Sequence, residues 1–402
     1  MKSKNSFLLL GFVILLLSYI KINDIINFSD NTNLNEFNVK NKDYKHISSS
    51  LPFEHIIKIN DELLLCSGLD YLHIFITKEY LLNPIKNGSL YLFNTKKNEL
   101  QSLNIENFPN SVSFYPHGMS LYKISTEKFY LYIINHSIKS NQEQNEERIE
   151  KCLLTINNPQ KISLSFKNTI TLPIDYFGTL NSIAVINHNT IYFTTHNYFP
   201  LPSFSYNDNN INSYIFKIKY KLYDLINILF QKLNIKKTYL YSYNLDEEKI
   251  NLIYNSEGMS NHGLAYNSDK SILYMVRSFE KDIRIFEVSR NIPTKALLIN
   301  TIKTIYNARN IYYDSDKEKI YVGIYGSNKE LINMEKNYIE EGNFDDVTSF
   351  GGFEEIDVNN NYEITELILM KNEFKGVSSA IKIDNNIYLS SAYQNGLFIY
   401  HK

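Results

Sequence analysis

Polar side chains that can exchange protons or bind a cation stand at the start of six similar short segments. These positions are Glu54, His117, Asn181, Asn261 or His262, Asn310, and Ser378 or Ser379. A second set ends the strand that follows: Asn135 with His136, His196 with Asn197, Arg277, and Tyr325. Imidazole, carboxylate and amide groups gathered in one place serve acid–base chemistry and cation binding. The alternative is that they only terminate strands, where polar residues favour turns.

Six copies of a hairpin pattern must bring these residues together. Each copy has a polar residue, a short strand, a polar turn and a second strand rich in β-branched and aromatic residues, which favour sheets. The first copy reads EHIIKINDELLLCS from Glu54, and the others open at the positions given above. Their turns are rich in Asn, Asp, Ser and Lys, as hairpin turns require.

The hairpins predict an all-β fold, a six-bladed β-propeller. Further strand pairs lie between them, and residues 89–105 and 238–255 look like copies of one outer hairpin. Four strands in each repeated unit are typical of propeller blades, whose innermost strands line a central channel. We therefore expect one domain over residues 51–402, with both sets of polar residues at one mouth of the channel.

The N-terminus carries a hydrophobic segment over residues 7–20, FLLLGFVILLLSYI, between Lys2 and Lys4 on one side and Lys21 on the other. A basic head and a short apolar run are typical of a signal peptide or a signal anchor. No small-residue cleavage site follows, which favours an uncleaved anchor at residues 1–21. Residues 22–50 are predicted to be a polar linker, and the body to enter the secretory pathway, as a membrane-anchored or extracellular protein.

Four other features of the sequence allow further predictions. Residues 211–235 show helical spacing of apolar residues with lysines nearby, which predicts a helical insertion that contacts a membrane or packs on the propeller. Residues 139–151, KSNQEQNEERIEK, are predicted to be a solvated charged loop. Asn87 lies in a glycosylation sequon. Cys66 and Cys152 allow one disulfide or two buried thiols.

Composition excludes some functions. The formal net charge of −2 gives no electrostatic reason for a nucleic-acid partner. The chain has only 14 glycines and lacks the motif of a phosphate-binding loop, a zinc site, a nucleophile elbow or a dinucleotide-binding turn.

The motifs resemble those of the serum paraoxonase/arylesterase family. FYPHGMS at residues 114–120 and YLYIINHS at 130–137 are similar to its two histidine motifs. LLCSGLDY at 64–71, TLNSIAVI at 179–186, SNHGLAYNSD at 260–269 and ARNIYYDSDKEKIYVG at 308–323 follow in the family's order. The resemblance runs from about residue 50 to the C-terminus. Strictosidine-synthase-like and gluconolactonase-like propellers are the related alternative.

The resemblance implies a hydrolase of small carboxylic esters or lactones that uses calcium. His117 and His136 would be the pair that activates water. The cation ligands would be Glu54, Asn181, Asn261 and Asn310, or His262 in place of Asn261 after a one-residue shift. The substrate pocket would include His196, Tyr325 and Arg277.

Several residues depart from the family's pattern. Arg309 replaces an acid that would bind calcium, and a guanidinium cannot ligate a cation. Arg309 is expected either to pair with Glu54 or to turn outward. His55 and Ser182 replace acids of a second, structural calcium, which we expect to be lost. These changes leave a second hypothesis: a catalytically impaired propeller that binds a ligand or protein at the same mouth.

Overall fold

The computed structural model describes residues 44–71, 88–137, 146–158, 161–172, 178–198, 226, 233, 235–326, 330, 334, 337, 350–371 and 374–401. They belong to one compact unit, residues 37–402. The predicted anchor at 1–21, the sequon at Asn87 and nearly all of the 211–235 insertion lie outside the described residues. Among the residues described, no helix is both long and apolar enough to cross a bilayer.

The described elements are β-strands, in keeping with the β-branched and aromatic segments of the sequence. In chain order they are β1 (Tyr44–Asn60), β2 (Leu63–Gly68), β3 (Ser89–Asn94), β4 (Glu99–Leu103), β5 (Ile105–Glu106), β6 (Pro116–Lys123), β7 (Lys128–Ser137), β8 (Glu146–Asn158), β9 (Lys161–Thr171), β10 (Thr179–Asn187), β11 (Thr190–Asn197), β12 (Leu240–Asn244), β13 (Lys249–Leu252), β14 (Asn261–Asn267), β15 (Ile272–Arg277), β16 (Asp282–Val288), β17 (Ala296–Lys303), β18 (Asn307–Asp314), β19 (Lys319–Tyr325), β20 (Phe350–Asp357), β21 (Glu363–Lys371), β22 (Ser379–Ile383), β23 (Asn386–Ser390) and β24 (Asn395–His401).

The strands form an all-β propeller. Three sheets have four strands each, β10–β13, β14–β17 and β18–β21, in sequential antiparallel order. A fourth sheet has the order β5-β9-β8-β7-β6, and a seven-stranded sheet has the order β22-β23-β24-β1-β2-β3-β4. Neighbouring antiparallel strands need only tight turns, so each hairpin of the sequence becomes one strand pair.

Strand β1 corrects the predicted boundary of the linker. It begins at Tyr44, inside the segment 22–50 that the sequence predicts as a linker, because residues 44–47 pair with β24. The second half of β1 pairs with β2 instead. The first residues of the propeller are therefore held by its last strand.

The first strands of successive units contact one another in a closed order: β1, β6, β10, β14, β18, β22 and again β1. Between each two successive units lies a cluster of buried apolar side chains. Burying each large side chain contributes about 1.5–3 kcal/mol, so these clusters hold the units together. Cys66 and Cys152 are buried free thiols in different clusters, not a disulfide.

Candidate functional site

Five of the first strands carry an extra residue near their start. In β6 the paired residues pass from Pro116↔Asn135 to Met119↔Ile133, an advance of three residues along β6 but of only two along β7. The same irregularity occurs at the corresponding place in β1, β10, β14 and β18. A β-bulge of this kind bends the strand and re-aims the unpaired side chain. The first bulged residues are Glu54, His117, Asn181, His262 and Arg309.

This register decides one choice that the sequence left open, between Asn261 and His262, and moves the predicted position at Asn310 by one residue. His262 rather than Asn261 takes the bulge position of β14, and Arg309 rather than Asn310 takes that of β18. The Asn261 Nδ2 donates to the backbone oxygen of Ser256, 2.9 Å away. The Asn310 Nδ2 donates to the backbone oxygen of Glu54 at 2.9 Å and lies 3.3 Å from its Oε1. Asn310 thus lies beside Glu54, whereas Asn261 bonds to a neighbouring loop.

His136, near the end of β7, is held by a carboxylate that the sequence did not indicate. Its Nδ1 lies 3.0 Å from both carboxylate oxygens of Glu147 on β8. The backbone N–H of Leu180 donates to Glu147 Oε2 at 3.1 Å. Because a carboxylate only accepts, His136 must carry its proton on Nδ1. All three groups are buried, so the orientation of the imidazole is set by the fold.

His117 is oriented in a similar way by a backbone carbonyl. Its Nδ1–H donates to the Asn181 oxygen at 3.0 Å, and its Nε2 lies 3.6 Å from Glu54 Oε1. Burial lowers the pKa of His117 below its ordinary value, against the opposing effect of Glu54. The ring is therefore neutral at neutral pH, and its Nε2 is the basic nitrogen.

Four imidazoles form a buried group that we call the histidine cluster: His136, His117, His196 and His262. Successive ring centroids are 5.0, 6.2 and 5.9 Å apart. Burial, followed by the charges of its neighbours, lowers the pKa of His196 and that of His262 well below the ordinary value. These two members of the cluster are therefore neutral rings that add polarity without charge.

The tautomer of His262 follows from its contact with Ser260. The Ser260 hydroxyl donates to the His196 backbone oxygen at 3.2 Å and lies 3.0 Å from His262 Nε2. Since that hydroxyl hydrogen is used, Nε2 must donate to the serine oxygen. The remaining Nδ1 of His262 is buried and has no hydrogen-bond partner among the described residues.

Arg309 is buried beside the cluster, and it neither pairs with Glu54 nor turns outward. Its guanidinium carbon lies 4.5 Å from the centroid of the Tyr325 ring, a cation–π contact. Within the described part of the chain, no ion pair within 4.0 Å joins it to Glu54. Burial by itself raises the pKa of Glu54, but its interactions with His117 and with the positive charge of Arg309 lower that pKa below its ordinary value.

Arg277 lies near Asn261 but is held by an ion pair. Its Nε donates to Asp282 Oδ1 at 2.8 Å and one of its terminal nitrogens to Oδ2 at 2.7 Å. Another terminal nitrogen donates to the backbone oxygen of Glu257 at 3.0 Å. These bonds use most of the N–H donors of Arg277. Of the other two residues predicted for the substrate pocket, His196 belongs to the histidine cluster and Tyr325 lies under the Arg309 guanidinium.

The residues present do not fit a calcium ion. Calcium takes about 6–8 oxygen ligands, several of them commonly carboxylates. The unpartnered buried oxygens of the described residues at these positions are Glu54 Oε2, Asn181 Oδ1 and Asn261 Oδ1, and the last belongs to the side chain that bonds to Ser256. Asn310 offers Glu54 its N–H rather than its oxygen, and Arg309 adds a fixed positive charge. The described residues also contain no cluster of three or more His, Cys, Asp or Glu placed to hold a metal.

His55 and Ser182, the two positions at which the resemblance implies a structural calcium, connect neighbouring first strands. The backbone N–H of Met119 donates to His55 Nδ1 at 3.0 Å, and that of Leu264 donates to the Ser182 hydroxyl oxygen at 3.0 Å. Burial lowers the pKa of His55 to about 4, so this ring stays neutral. Both side chains therefore hold adjacent sheets together by hydrogen bonds.

The charged segment at 139–151 was interpreted wrongly from the sequence. Its second half belongs to β8, and Glu147, Arg148 and Glu150 are buried there. The available signal was Ile149 and the apolar run that follows it, which mark a strand rather than a loop.

The chain is similar to several known proteins. Serum paraoxonase/arylesterase 2 of the dog, Canis lupus familiaris, is 22% identical over 300 residues, which cover 72% of this chain and 74% of that protein. A luciferin-regenerating enzyme is 10% identical with a TM-score of 0.46, over 89% of this chain and 93% of its own. A gluconolactonase from Xanthomonas campestris is 10% identical with a TM-score of 0.43, over 89% and 97%.

The family assignment depends on the length of the matched segment. The family model described as Arylesterase matches residues 54–340, which is more than half of the 402 residues. That segment begins at Glu54 and contains all four members of the histidine cluster. The chain therefore belongs to the arylesterase family.

Proposed function

We propose that the protein is a hydrolase of carboxylic esters or lactones in which His117 acts as the general base. The observation that carries this proposal is the environment of His117. It is buried and neutral, its tautomer is set by the Asn181 carbonyl, and its basic Nε2 lies 3.6 Å from Glu54 Oε1. A positioned neutral imidazole of this kind is suited to accept a proton from water.

The proposed reaction uses this chain's own groups. His117 Nε2 takes a proton from a water molecule while the water oxygen bonds to the ester carbonyl carbon. The imidazolium is then stabilised by Glu54, because opposite charges about 4 Å apart attract by roughly 4 kcal/mol at an effective dielectric of 20. When the carbon–oxygen bond to the leaving group breaks, the same nitrogen returns the proton to the departing oxygen. The products are a carboxylic acid and an alcohol.

His136 and Glu147 serve as the support of this base in the proposal. The His136 ring lies 5.0 Å from the His117 ring, centroid to centroid, and donates to Glu147. The negative charge of Glu147, on the far side of His136, favours positive charge on His117. No step of this reaction passes through calcium, since the residues present do not fit that ion.

The test is hydrolysis of phenyl acetate and of a panel of lactones by the wild-type protein, the His117→Gln variant and the His188→Gln variant. His188 is an exposed turn histidine and is the matched control. We expect the wild type and H188Q to hydrolyse at least one ester equally and H117Q to lose about 10²–10⁴-fold in rate. Unchanged hydrolysis by H117Q would refute the assignment.

A second candidate function is favoured by the poor fit to calcium. A propeller that inherited the site without the cation would bind a ligand or a protein partner there and would not hydrolyse esters. The same panel separates the two functions, because this candidate predicts background rates for every substrate with the wild-type protein.

We also propose that the propeller has six blades. Support comes from the closed order of contacts between the six first strands and from the six apolar clusters between successive units. In this interpretation the seven-stranded sheet is two blades that share β1, whose first half closes the ring onto β24. Deleting residues 44–50 is then expected to lower the melting temperature, and an unchanged melting temperature would contradict it.

For localisation, we propose that residues 1–21 anchor the protein and direct it into the secretory pathway, with glycosylation at Asn87 and membrane contact by residues 211–235. Support comes from the apolar run, the sequon and the basic helical pattern in the sequence. Expression in a eukaryotic cell tests this: endoglycosidase treatment is expected to shift the wild-type protein on a gel but not the Asn87→Gln variant. The same mobility with and without enzyme for the wild type would argue against secretory entry or use of the sequon.

A further inference from the structure

Arg309 differs from the other buried arginines. Four described arginines are more than nine-tenths buried: Arg148, Arg277, Arg284 and Arg309. The first three pair with the carboxylates of Glu150, Asp282 and Glu257. Arg309 has no ion pair and no hydrogen bond within the described ranges, although its guanidinium is charged at every ordinary pH.

The donors of Arg309 face space that solvent reaches. None of its nitrogens is among the side-chain atoms that are sealed from solvent and lack a partner. Since Arg309 makes no hydrogen bond to any residue that the structure describes, its N–H groups are free to bind a ligand or water. Glu54 attracts this charge from beyond ion-pair distance and the Tyr325 ring lies under it, but a buried guanidinium without hydrogen-bond acceptors remains costly.

The surroundings of the guanidinium are aromatic. Tyr325 lies under it, and the Tyr393 ring meets the Tyr325 ring edge-on at 5.9 Å between centroids. Tyr71 meets Tyr393 edge-on at 5.6 Å. A planar cation with open N–H donors beside a row of three phenol rings matches a ligand that has a carboxylate on a flat apolar ring.

We propose that Arg309 forms an anion subsite that binds a small aromatic carboxylate, at the place where the family pattern has an acid. The subsite specifies which ligands the proposed hydrolase would prefer and in that sense rests on the proposed function. Binding of a carboxylate there can nevertheless be measured without any hydrolysis. A planar guanidinium binds a carboxylate through two parallel N–H···O bonds, which a neutral amide of the same shape cannot reproduce.

The test is calorimetric binding of benzoate and of benzamide to the full-length protein. We expect the wild type to bind benzoate at least tenfold more tightly than benzamide. Arg309→Met should lose at least tenfold in benzoate affinity, and Arg309→Lys should bind benzoate less tightly than the wild type. Arg290→Met is the matched control, since Arg290 is an exposed arginine on the surface, and should bind benzoate normally.

The possible results separate this proposal from the proposed function. Equal binding of benzoate and benzamide by the wild type, or no binding of either, overturns the anion subsite even if Arg309→Met fails to fold. Hydrolysis of phenyl acetate without that discrimination leaves the hydrolase and removes the subsite. Discrimination without hydrolysis leaves the subsite and removes the hydrolase.

The source of the carboxylate is a separate comparison within the same proposal. If the substrate carries it, kcat/KM for 4-acetoxybenzoate should exceed that for methyl 4-acetoxybenzoate, and Arg309→Met should remove the difference. If instead an aromatic acid released from an ester occupies the subsite, benzoate should inhibit phenyl acetate hydrolysis competitively, while the two acetoxy esters react at equal rates.

Discussion

Replacing Glu147 by Gln tests whether the carboxylate behind His136 contributes to hydrolysis. Glu147 is buried, accepts a hydrogen bond from His136 Nδ1 at 3.0 Å, and accepts another from the Leu180 N–H at 3.1 Å. Glutamine has almost the same shape and keeps one acceptor oxygen. The substitution therefore removes the negative charge with little change in packing.

The expected magnitude follows from the type of hydrogen bond that is lost. A hydrogen bond to a charged group contributes about 1.5–3 kcal/mol, compared with about 1 kcal/mol for a neutral one. Because glutamine still accepts a neutral hydrogen bond, the loss is the difference, about 0.5–2 kcal/mol, and if it is expressed in the transition state the rate falls about 2- to 30-fold, at tenfold per 1.36 kcal/mol. The acidic limb of the pH–rate profile should also move to lower pH, because the negative charge of Glu147 raises the pKa of His117 and a neutral amide does not.

The assay is kcat/KM for phenyl acetate from pH 5 to 9, with the melting temperature measured on the same samples. Glu354→Gln is the matched control: Glu354 is as deeply buried, lies on β20, and accepts from the backbone N–H groups of Ile305 and Tyr306 instead of an imidazole. This control should hydrolyse phenyl acetate at the wild-type rate. A folded Glu147→Gln protein with the wild-type rate and an unmoved pH profile would show that Glu147 has only a structural role.

Three further predictions concern stability, packing and metal binding. Burial raises the pKa of Glu354 to about 7 from an ordinary 4.5, so between these pH values the folded state binds more protons than the unfolded state and the contribution of Glu354 to stability falls as pH rises. In denaturant titrations, the stability of Glu354→Gln relative to the wild type should therefore rise by up to about 3 kcal/mol between pH 4.5 and pH 8, and a constant difference would contradict this. Gly118→Ala should destabilise the fold by about 1–3 kcal/mol and lower activity, because the added Cβ would lie 2.8 Å from the Ser182 Cα and closer still to the Asn181 oxygen that orients His117. An unchanged melting temperature would refute this close approach. Calcium at millimolar concentration should raise the melting temperature of Arg309→Asp but not of the wild type, and a rise in the wild type would contradict the poor fit to calcium.

Local sequence patterns determined much of the fold. Alternation of apolar and polar residues between turn-forming segments located the hairpins that open at Glu54, His117 and Asn181, and the comparison of motifs located the family. These features depend on residues close together in the chain, because a hairpin's turn and side-chain period set which strands pair. The all-β propeller and the arylesterase family are both confirmed.

The roles of neighbouring residues could not be read from that pattern. His262 and Asn261 are adjacent in sequence, and only the one-residue bulge in β14 decides that the histidine takes the position equivalent to His117. Whether a strand bulges depends on its pairing across the sheet and on the contacts of the next sheet, which the local pattern does not contain.

What the amino-acid sequence determined by itself is the list of residues that could do chemistry, Arg309 among them, and the hairpins that carry them. What only the tertiary structure decided is their partners. Glu147 meets His136 across β7 and β8, and Arg309 lies over Tyr325 instead of pairing with Glu54. The reason is physical: hydrogen bonds, burial and charge interactions act between groups that are close in space, and folding brings these together from distant parts of the chain.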